Sequence, residues 1–338
     1  MRVHTTVPVS DPKAAGPLFQ KLESIGYDGA FTYESKHDPF LPLAVAADRT
    51  KKIALGTAIA IGFARNPMNL ANLGYDLQVA SEGRFALGLG SQVRPHIQKR
   101  FSSTWSAPAP RMRELVLAIR AIWDAWEGNS KLDFRGEFFT HTLMIPAFDP
   151  GPNPYGPPRI LTAGVGPKMI EVAGEVADGL LAHPFNTAKS TREILIPALE
   201  RGFAKSGRRR ENFDLTCVLF IVTADTEEQL EQVKSAARGQ LSFYGSTPAY
   251  KATLECHGWG DLHVELNRMS KQGRWDDMSE LITDEIMETI AVVGPRESIA
   301  PQIIERVGGI ADAVSIENTR HPDPAIWADV VAHLKRLG

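Results

Sequence analysis

The chain has 338 residues, 43% of them hydrophobic, and a formal net charge of −3 at pH 7. This length allows two ordinary domains or one large α/β barrel, and the apolar content excludes a disordered chain. Because the charge is slightly negative, nothing draws the whole chain to nucleic acid or to an anionic membrane. We therefore expect a small-molecule substrate as its partner, with no nucleic acid and no membrane.

Two cysteines, Cys217 and Cys256, stand far apart, so neither a disulfide framework nor a cysteine-built zinc site is expected. The nine histidines show no metal-ligand spacing, and no metal site is predicted. The first residues lack the cationic start and apolar core of a signal peptide, and no apolar run approaches the roughly 20 residues that span a bilayer. These features predict a cytoplasmic protein with reduced thiols.

In the first half of the chain, short β-rich runs alternate with longer amphipathic segments, the pattern of repeated strand–helix units. Strands are predicted at residues 3–7, 29–33, 53–61 and 85–89, and helices at 12–25, 39–49, 67–80 and 111–126.

A proline-rich passage, AFDPGPNPYGPPR, follows and is interpreted as a surface loop, because the same alternation resumes after it. Strands are predicted at 160–163, 179–182, 215–223 and 313–316, and helices at 167–176, 187–205, 295–307 and 324–337, with a helical region from 227 to about 281.

Eight such units predict an α/β fold, a TIM (β/α)8 barrel that forms a single domain over residues 1–338. Insertions are expected after strand four, at about 91–110, and after strand seven, at about 227–290. An open doubly wound sheet is the alternative.

In a TIM barrel the residues that follow each strand line the functional mouth. Strand two is followed by Glu34, Lys36, His37 and Asp38. Asp38 fits a helix start, where acidic groups are favourable. His37 could be a metal ligand, a proton donor or part of the same helix start, and the residues alone leave these readings open.

Strand three is followed by Arg65, which either faces the mouth or is simply solvated, and by Asn66 and Pro67, a typical helix start. Strand five is followed by Gly164 and Gly166, directly before a helix. Free N–H groups at a helix N-terminus can bind phosphate, although a tight turn without a ligand has the same sequence.

Strand four ends in Gly88, Gly90 and Ser91, which expose backbone at the same mouth. Glycine-bearing or cationic strand ends around one rim suggest a flat, anionic, phosphate-bearing cofactor, which composition alone does not name. The usual motifs of competing chemistries, GxSxG, HExxH and a clear GxGxxG, are absent from the sequence.

Five segments carry a resemblance to a known family: GYDGAFTYESKHDPF, LGTAIAIGFARNP, SEGRFALGLGSQVRPHIQKRF, ILTAGVGPKMIEVAGEVADGLL and VVGPRESI. With these segments the chain resembles the bacterial luciferase-like monooxygenase superfamily over nearly its whole length. It is most similar to the branch of oxidoreductases that use coenzyme F420, in which LGLGSQVRPHI followed by RMREL is typical.

The resemblance implies an enzyme that transfers a hydride between the ring carbon C5 of F420 and a small organic substrate. It implies that His37 contacts the ring and the reacting substrate. It also places a cis peptide between Ala58 and Ile59, on a strand-three bulge behind the ring, and the phosphate near Gly164. The full set of cofactor-binding residues expected is Ala58, Ile59, Arg65, Gly90, Ser91, Ala163, Gly164, Val165 and Gly166.

Two alternatives on the same fold stay open, an FMN-dependent monooxygenase with a separate flavin reductase and a non-catalytic flavin-binding barrel. Cationic residues near the mouth favour F420, whose tail ends in glutamates: Arg65, Arg94, His96, Lys99 and Arg100. Related sugar-phosphate dehydrogenases carry a glutamate where this chain has Gln92, Val93 and Arg94, so their substrate is not transferred. Relatives often dimerise through helices two and three, which predicts a homodimer.

Overall fold

A computed structural model describes residues 1–317 and 323–338, and in them eight parallel strands close into a barrel surrounded by helices. Each strand pairs with the next along the chain, and the last pairs with the first. The predicted TIM barrel is confirmed. The strands are β1 Arg2–Val7, β2 Gly29–Thr32, β3 Ala54–Thr57 continuing at Ala60–Ile61, β4 Phe85–Gly90, β5 Arg159–Gly164, β6 Gly179–Ala182, β7 Asp214–Leu219 and β8 Ala313–Glu317.

The helices follow the predicted alternation closely. They are α1 Pro12–Ile25, α2 Phe40–Arg49, α3 Pro67–Ala80, α4 Pro108–Trp126, α5 Pro167–Val176, α6 Ile196–Ser206, α7 Glu227–Ser246, α8 Lys251–Glu255, α9 Gly260–Lys271, α10 Trp275–Glu280, α11 Asp284–Ile290, α12 Arg296–Val307 and α13 Ala328–Leu337.

Among the helix boundaries that differ from the prediction, two have reasons that lie in proline chemistry. Helix α4 begins at Pro108 and not at 111, because proline is well suited to the first turn of a helix. The helix predicted over 187–205 is divided into a turn at Ala188–Ser190, a π-helical turn at Thr191–Leu195 and α6. Pro197 cannot donate an N–H to the preceding turn, which explains the interruption.

The strand predicted over 215–223 is divided as well. Its first part is β7, and Ile221–Val222 leaves the barrel to pair in parallel with Val292–Val293. Helices α7 to α11 lie between these two short strands and have an apolar core of their own, with buried residues that include Leu241, Leu254, Leu266 and Met287. The insertion after strand seven is therefore a separate helical layer packed on the barrel.

Acidic residues precede three of the even-numbered strands and connect neighbouring strands at the N-terminal end of the barrel. Asp28, Asp178 and Asp312 each accept an N–H from the preceding odd-numbered strand, and each donates its own N–H to the carbonyl of that same residue. The partners are Val3 at 2.8 Å, Ile160 at 2.9 Å and Leu215 at 2.7 Å from the carboxylates. These paired hydrogen bonds fix the register between the two strands that they join.

The barrel interior changes character from one end to the other. The lower layers contain Phe31, Leu161 and Leu181, all buried. Nearer the C-terminal ends of the strands the interior residues are small or lie on the β3 interruption, and Ala58, Ile59 and Ala163 are partly exposed. The interior at the C-terminal mouth is therefore apolar and partly accessible.

Within the described ranges, no helix combines the length and apolar character needed to cross a membrane.

Asp178 gives a stability prediction. It forms ion pairs with Arg120 and Arg208, both at 2.8 Å, and its side chain is 18% exposed. Asp178→Ala would leave two partly buried guanidinium groups unpaired and the Ile160 N–H unsatisfied, so we expect a loss of about 3 kcal/mol in the free energy of unfolding at pH 7. Urea unfolding measures this loss.

The matched control is Asp133→Ala, since Asp133 pairs with Arg135 while 61% exposed, and the expected cost is below about 1 kcal/mol. Burial acts to raise the pKa of Asp178, but the Arg120 charge and the N–H donors outweigh it, and the net pKa is lowered. The stabilisation is therefore complete above the unfolded carboxyl pKa of about 4 and is lost below it. A difference between wild type and Asp178→Ala that grew on acidification would contradict this assignment.

Candidate functional site

Strand β3 is interrupted at the mouth between Thr57 and Ala60, and the peptide between Ala58 and Ile59 is cis, as predicted. The interruption is tied to the end of β2 by two backbone bonds. The Ala58 N–H donates to the Thr32 carbonyl at 2.7 Å, and the Ile59 carbonyl accepts the Glu34 N–H at 3.0 Å. Ala58 and Ile59 on this bulge pack against the same interior cluster as Ala163, so three of the predicted cofactor residues border one region of the barrel interior.

On the side facing β4, the bulge depends on Gly88, which contacts Thr57, the last residue before the interruption. Its N–H donates to the Thr57 hydroxyl at 2.9 Å, and that hydroxyl donates to the Gly88 carbonyl at 2.7 Å. A Cβ at position 88 would lie only 1.7 Å from the Thr57 carbonyl oxygen. Thr57 thus supplies with its side chain the strand pairing that the interrupted backbone cannot make.

Gly90 and Ser91 lie at the end of β4. A Cβ at Gly90 would come within 2.7 Å of the Ile59 side chain, and so the glycine makes room for that side chain. The Ser91 hydroxyl donates to the Gln92 carbonyl at 3.1 Å. Both residues lie at the mouth beside the bulge, and their predicted role in cofactor binding stays a prediction.

The loop Gly164–Val165–Gly166 joins β5 to α5. A Cβ at Gly164 would lie 2.9 Å from the Met169 side chain, whereas one at Gly166 would meet nothing within 4 Å. Gly166 caps α5, and no side chain among the described residues closes this helix end. The N-terminus of a ten-residue helix therefore borders open space at the rim, an arrangement that suits an anion.

Arg65 was predicted to contact a cofactor, and the structure places its guanidinium group against two carboxylates. It forms an ion pair with Glu34 and a second with Asp38 at 3.1 Å, and it lies 5.4 Å over the Phe40 ring. The side chains of Glu34 and Arg65 are 7% and 17% exposed. Glu34 also accepts the Ile61 N–H at 2.7 Å. This pair joins the loops after β2 and β3 and was not found from the sequence.

His37 is exposed on the loop after β2, and in the sequence it stands between Glu34 and Asp38, the two carboxylates that hold Arg65. Asp38 accepts the Phe40 N–H at 2.8 Å at the start of α2, which confirms the predicted helix start. Arg100, on the insertion after strand four, donates to the Ser35 carbonyl. The insertion after strand four thus reaches the His37 loop, and the backbone on either side of the imidazole is held in place.

A second histidine, His183, follows β6 and was overlooked in the sequence. Its Nε2 lies 3.0 Å from the Tyr250 hydroxyl, and its Nδ1 accepts the Phe185 N–H at 3.1 Å. Burial lowers the pKa of His183 to about 4 and raises the pKa of Tyr250. The same strand-end rule that selected His37 applies to His183, but nothing in the sequence indicates that Tyr250 meets it.

Two clefts, of about 530 and 470 Å³, lie at the N-terminal end of the barrel, away from the mouth. Their lining includes the ion-paired residues Arg210, Asp312, Arg159 and Asp214. They border the charged network that joins the strands, and the candidate functional residues lie at the other end.

The chain matches the family model described as luciferase-like monooxygenase over residues 2–313. The protein belongs to this family. It is 53% identical over 293 residues to an uncharacterized protein of Mycobacterium tuberculosis, covering 87% of this chain and 86% of the relative. It is 28% identical over 307 residues to a 5,10-methylenetetrahydromethanopterin reductase of Archaeoglobus fulgidus, covering 86% and 84%.

Among solved structures, the fold is similar to that of the coenzyme F420-dependent tetrahydromethanopterin reductase from Methanopyrus kandleri. The TM-score is 0.76 at 19% sequence identity, covering 98% of this chain and 96% of the other. These comparisons confirm the resemblance stated from the sequence and the barrel fold. The protein is an oxidoreductase of the luciferase-like class.

The Thr57–Gly88 contact gives a second prediction. Gly88→Ala would force a methyl group against the Thr57 carbonyl, and we expect a loss of about 3 kcal/mol or more in the free energy of unfolding. Gly239→Ala is the control, because that helical glycine has open space around it and alanine there should raise stability by up to about 1 kcal/mol. Urea unfolding compares the two, and equal stability of wild type and Gly88→Ala would contradict the described contact.

Proposed function

We propose that the protein is a coenzyme F420-dependent oxidoreductase that transfers a hydride between the cofactor and a small organic substrate. The observation that carries the proposal is the meeting, at one mouth, of the β3 bulge with the open N-terminus of α5. The similarity to two reductases, one of them named as F420-dependent, supports the same cofactor.

The residues at the mouth fit a flat ring that carries a phosphate. Ala58, Ile59 and Ala163 would hold the ring, because they are apolar and partly exposed on the barrel floor. The backbone of Val165 and Gly166 would hold the phosphate through N–H groups and the positive end of the helix. When bound, F420 supplies the ring carbon that takes up or releases the hydride.

The contribution of this chain to the reaction would come first from His37. Its imidazole is exposed on a loop that Glu34, Asp38 and Arg100 hold in position. An imidazole can donate a hydrogen bond or move a proton beside the reacting carbon. A fixed loop keeps that group in a productive orientation and lowers the entropic cost of the reaction.

The tail of F420 ends in glutamates and carries more negative charge than the tail of FMN. Arg94, His96, Lys99 and Arg100 are exposed on the insertion after strand four, which suits a polyanionic tail. Arg94 also bonds to Gln98 at 2.9 Å. The family description as a monooxygenase favours the alternative, an FMN-dependent monooxygenase.

Titration of the purified protein with F420 and with FMN, followed by ligand fluorescence, tests the cofactor. We expect F420 to bind at least tenfold more tightly at low salt and to weaken as salt screens its tail. Gly166→Asp should weaken both ligands, because a carboxylate would face the phosphate, whereas Gly239→Ala should change neither. Tighter binding of FMN would overturn the F420 assignment in favour of the monooxygenase.

His37→Ala tests the reaction. We expect F420 affinity to stay within about threefold and the rate of substrate-dependent F420 turnover to fall by about 100-fold or more, as for the loss of a proton-transfer group. Alcohols and ketones serve as trial substrates, and His333→Ala, on the outer helix α13, is the control. Unchanged turnover would show that His37 has no such role. F420 binding without turnover of any substrate would favour a non-catalytic barrel.

A further inference from the structure

The mouth contains a second hydrogen-bonding centre, formed by His183 and Tyr250, that the proposed function does not use. His183 is the first residue after β6. Side chains alternate along a strand, and Leu181 belongs to the interior cluster with Ala163 and Ile59. His183 is therefore the next inward-facing residue above that cluster, on strand six, whereas His37 follows strand two.

The hydrogen bonds of His183 determine where the proton of Tyr250 points. Nδ1 accepts the Phe185 N–H, so a neutral imidazole carries its one proton on Nε2 and donates it to the Tyr250 oxygen. The tyrosine hydrogen must then be donated elsewhere. Among residues 1–317 and 323–338, His183 is the only hydrogen-bond partner of the Tyr250 hydroxyl. The phenol hydrogen is therefore available for donation to water or to an oxygen atom of a ligand.

Both side chains are uncharged at neutral pH. Burial lowers the pKa of His183 to about 4, and burial raises the pKa of Tyr250. The direction of the bond is therefore constant over the working range of pH, with the imidazole as donor and the phenol oxygen as acceptor.

Aromatic rings surround the pair, and the cavity beside it is uncharged but has three polar lining residues, Asn186, Ser190 and Thr253. The Tyr250 ring centroid lies 4.7 Å from that of His183, 5.5 Å from Phe185 and 5.6 Å from Tyr244. A cavity of about 20 Å³ beside His183 and Phe185, room for one water-sized group, extends to Val165 and to Ala249 and Ala252 on either side of Tyr250. Of the described residues that line it, none is charged. An ionised substrate group here would be desolvated without a counter-charge.

We propose that Tyr250 donates a hydrogen bond to an oxygen atom of an uncharged, largely apolar substrate, a ketone, aldehyde or alcohol, and that His183 is the positioning residue that directs this donor. The substrate class rests on the proposed function, whereas the donor itself rests on the geometry of the pair. His37 and Tyr250 would then approach the substrate from different strands of the mouth.

Cyclohexanone and cyclohexanecarboxylate, which share a ring and differ in charge, are the probes. Their binding to the full-length protein, with and without F420, is measured by calorimetry. We expect cyclohexanone to bind wild type more tightly than the carboxylate does, and Tyr250→Phe to weaken cyclohexanone by five- to tenfold while F420 affinity changes less than twofold. Tyr155→Phe, an exposed tyrosine, is the matched control.

Two experiments test the positioning role of His183: the first determines which ring nitrogen carries the proton, and the second compares two substitutions. We expect ¹⁵N shifts of His183 to show a proton on Nε2, and we expect His183→Gln, which can donate and accept, to keep more cyclohexanone affinity than His183→Leu. A proton on Nδ1, or equal affinity in these two variants, would overturn the positioning role.

Equal binding of cyclohexanone to wild type and Tyr250→Phe, no binding to wild type, or preference for the carboxylate would overturn the proposal. The proposed function is tested independently. If F420 does not bind but cyclohexanone binding still depends on Tyr250, the cofactor assignment is wrong, and the assignment of Tyr250 as a hydrogen-bond donor is retained.

Discussion

The contact between Thr57 and Gly88 is the constraint on which the mouth of this barrel depends. Strand β3 leaves the regular ladder after Thr57, and the hydroxyl of that residue makes the two bonds to Gly88 that the ladder would have made. Because both backbone groups of Gly88 are satisfied, the barrel closes despite the interruption. The bulge then carries Ala58 and Ile59 into the interior beside Ala163, where a ring could lie.

The two ends of the barrel use charge in different ways. At the N-terminal end, Asp28, Asp178 and Asp312 bond to neighbouring strands, and each forms an ion pair with a lysine or an arginine. This network contributes to stability and register. At the C-terminal end, the Glu34–Arg65 pair holds loops, and the neutral pair of His183 and Tyr250 leaves a donor available. Such a division is expected of a TIM barrel, whose chemistry belongs to the loops after the strands.

Much of the fold was predictable because it depends on local rules. Alternation of apolar runs predicted all eight strands, and the start of α3 was correct because the Asn66 side chain accepts the Met68 N–H and Pro67 fits the first turn. The resemblance predicted the cis peptide at Ala58. Prediction was weaker where two distant segments meet. The ion pair of Arg65 with Glu34, 31 residues earlier, could not be recognised from the sequence, and the predicted role of Arg65 in cofactor binding stays a prediction.

The sequence by itself determined the order of the elements, the family and the strand ends at which functional residues would lie. It could do so because hydrophobic periodicity, helix caps and motifs depend on residues that are close together in the sequence. Only the tertiary structure decided which polar groups are already paired and which are available. Arg65 forms ion pairs with carboxylates. Tyr250 lies 67 residues after His183, and the helical layer brings it into hydrogen-bond contact with that histidine. The reason is physical: a hydrogen bond between distant segments depends on packing, which no local pattern encodes.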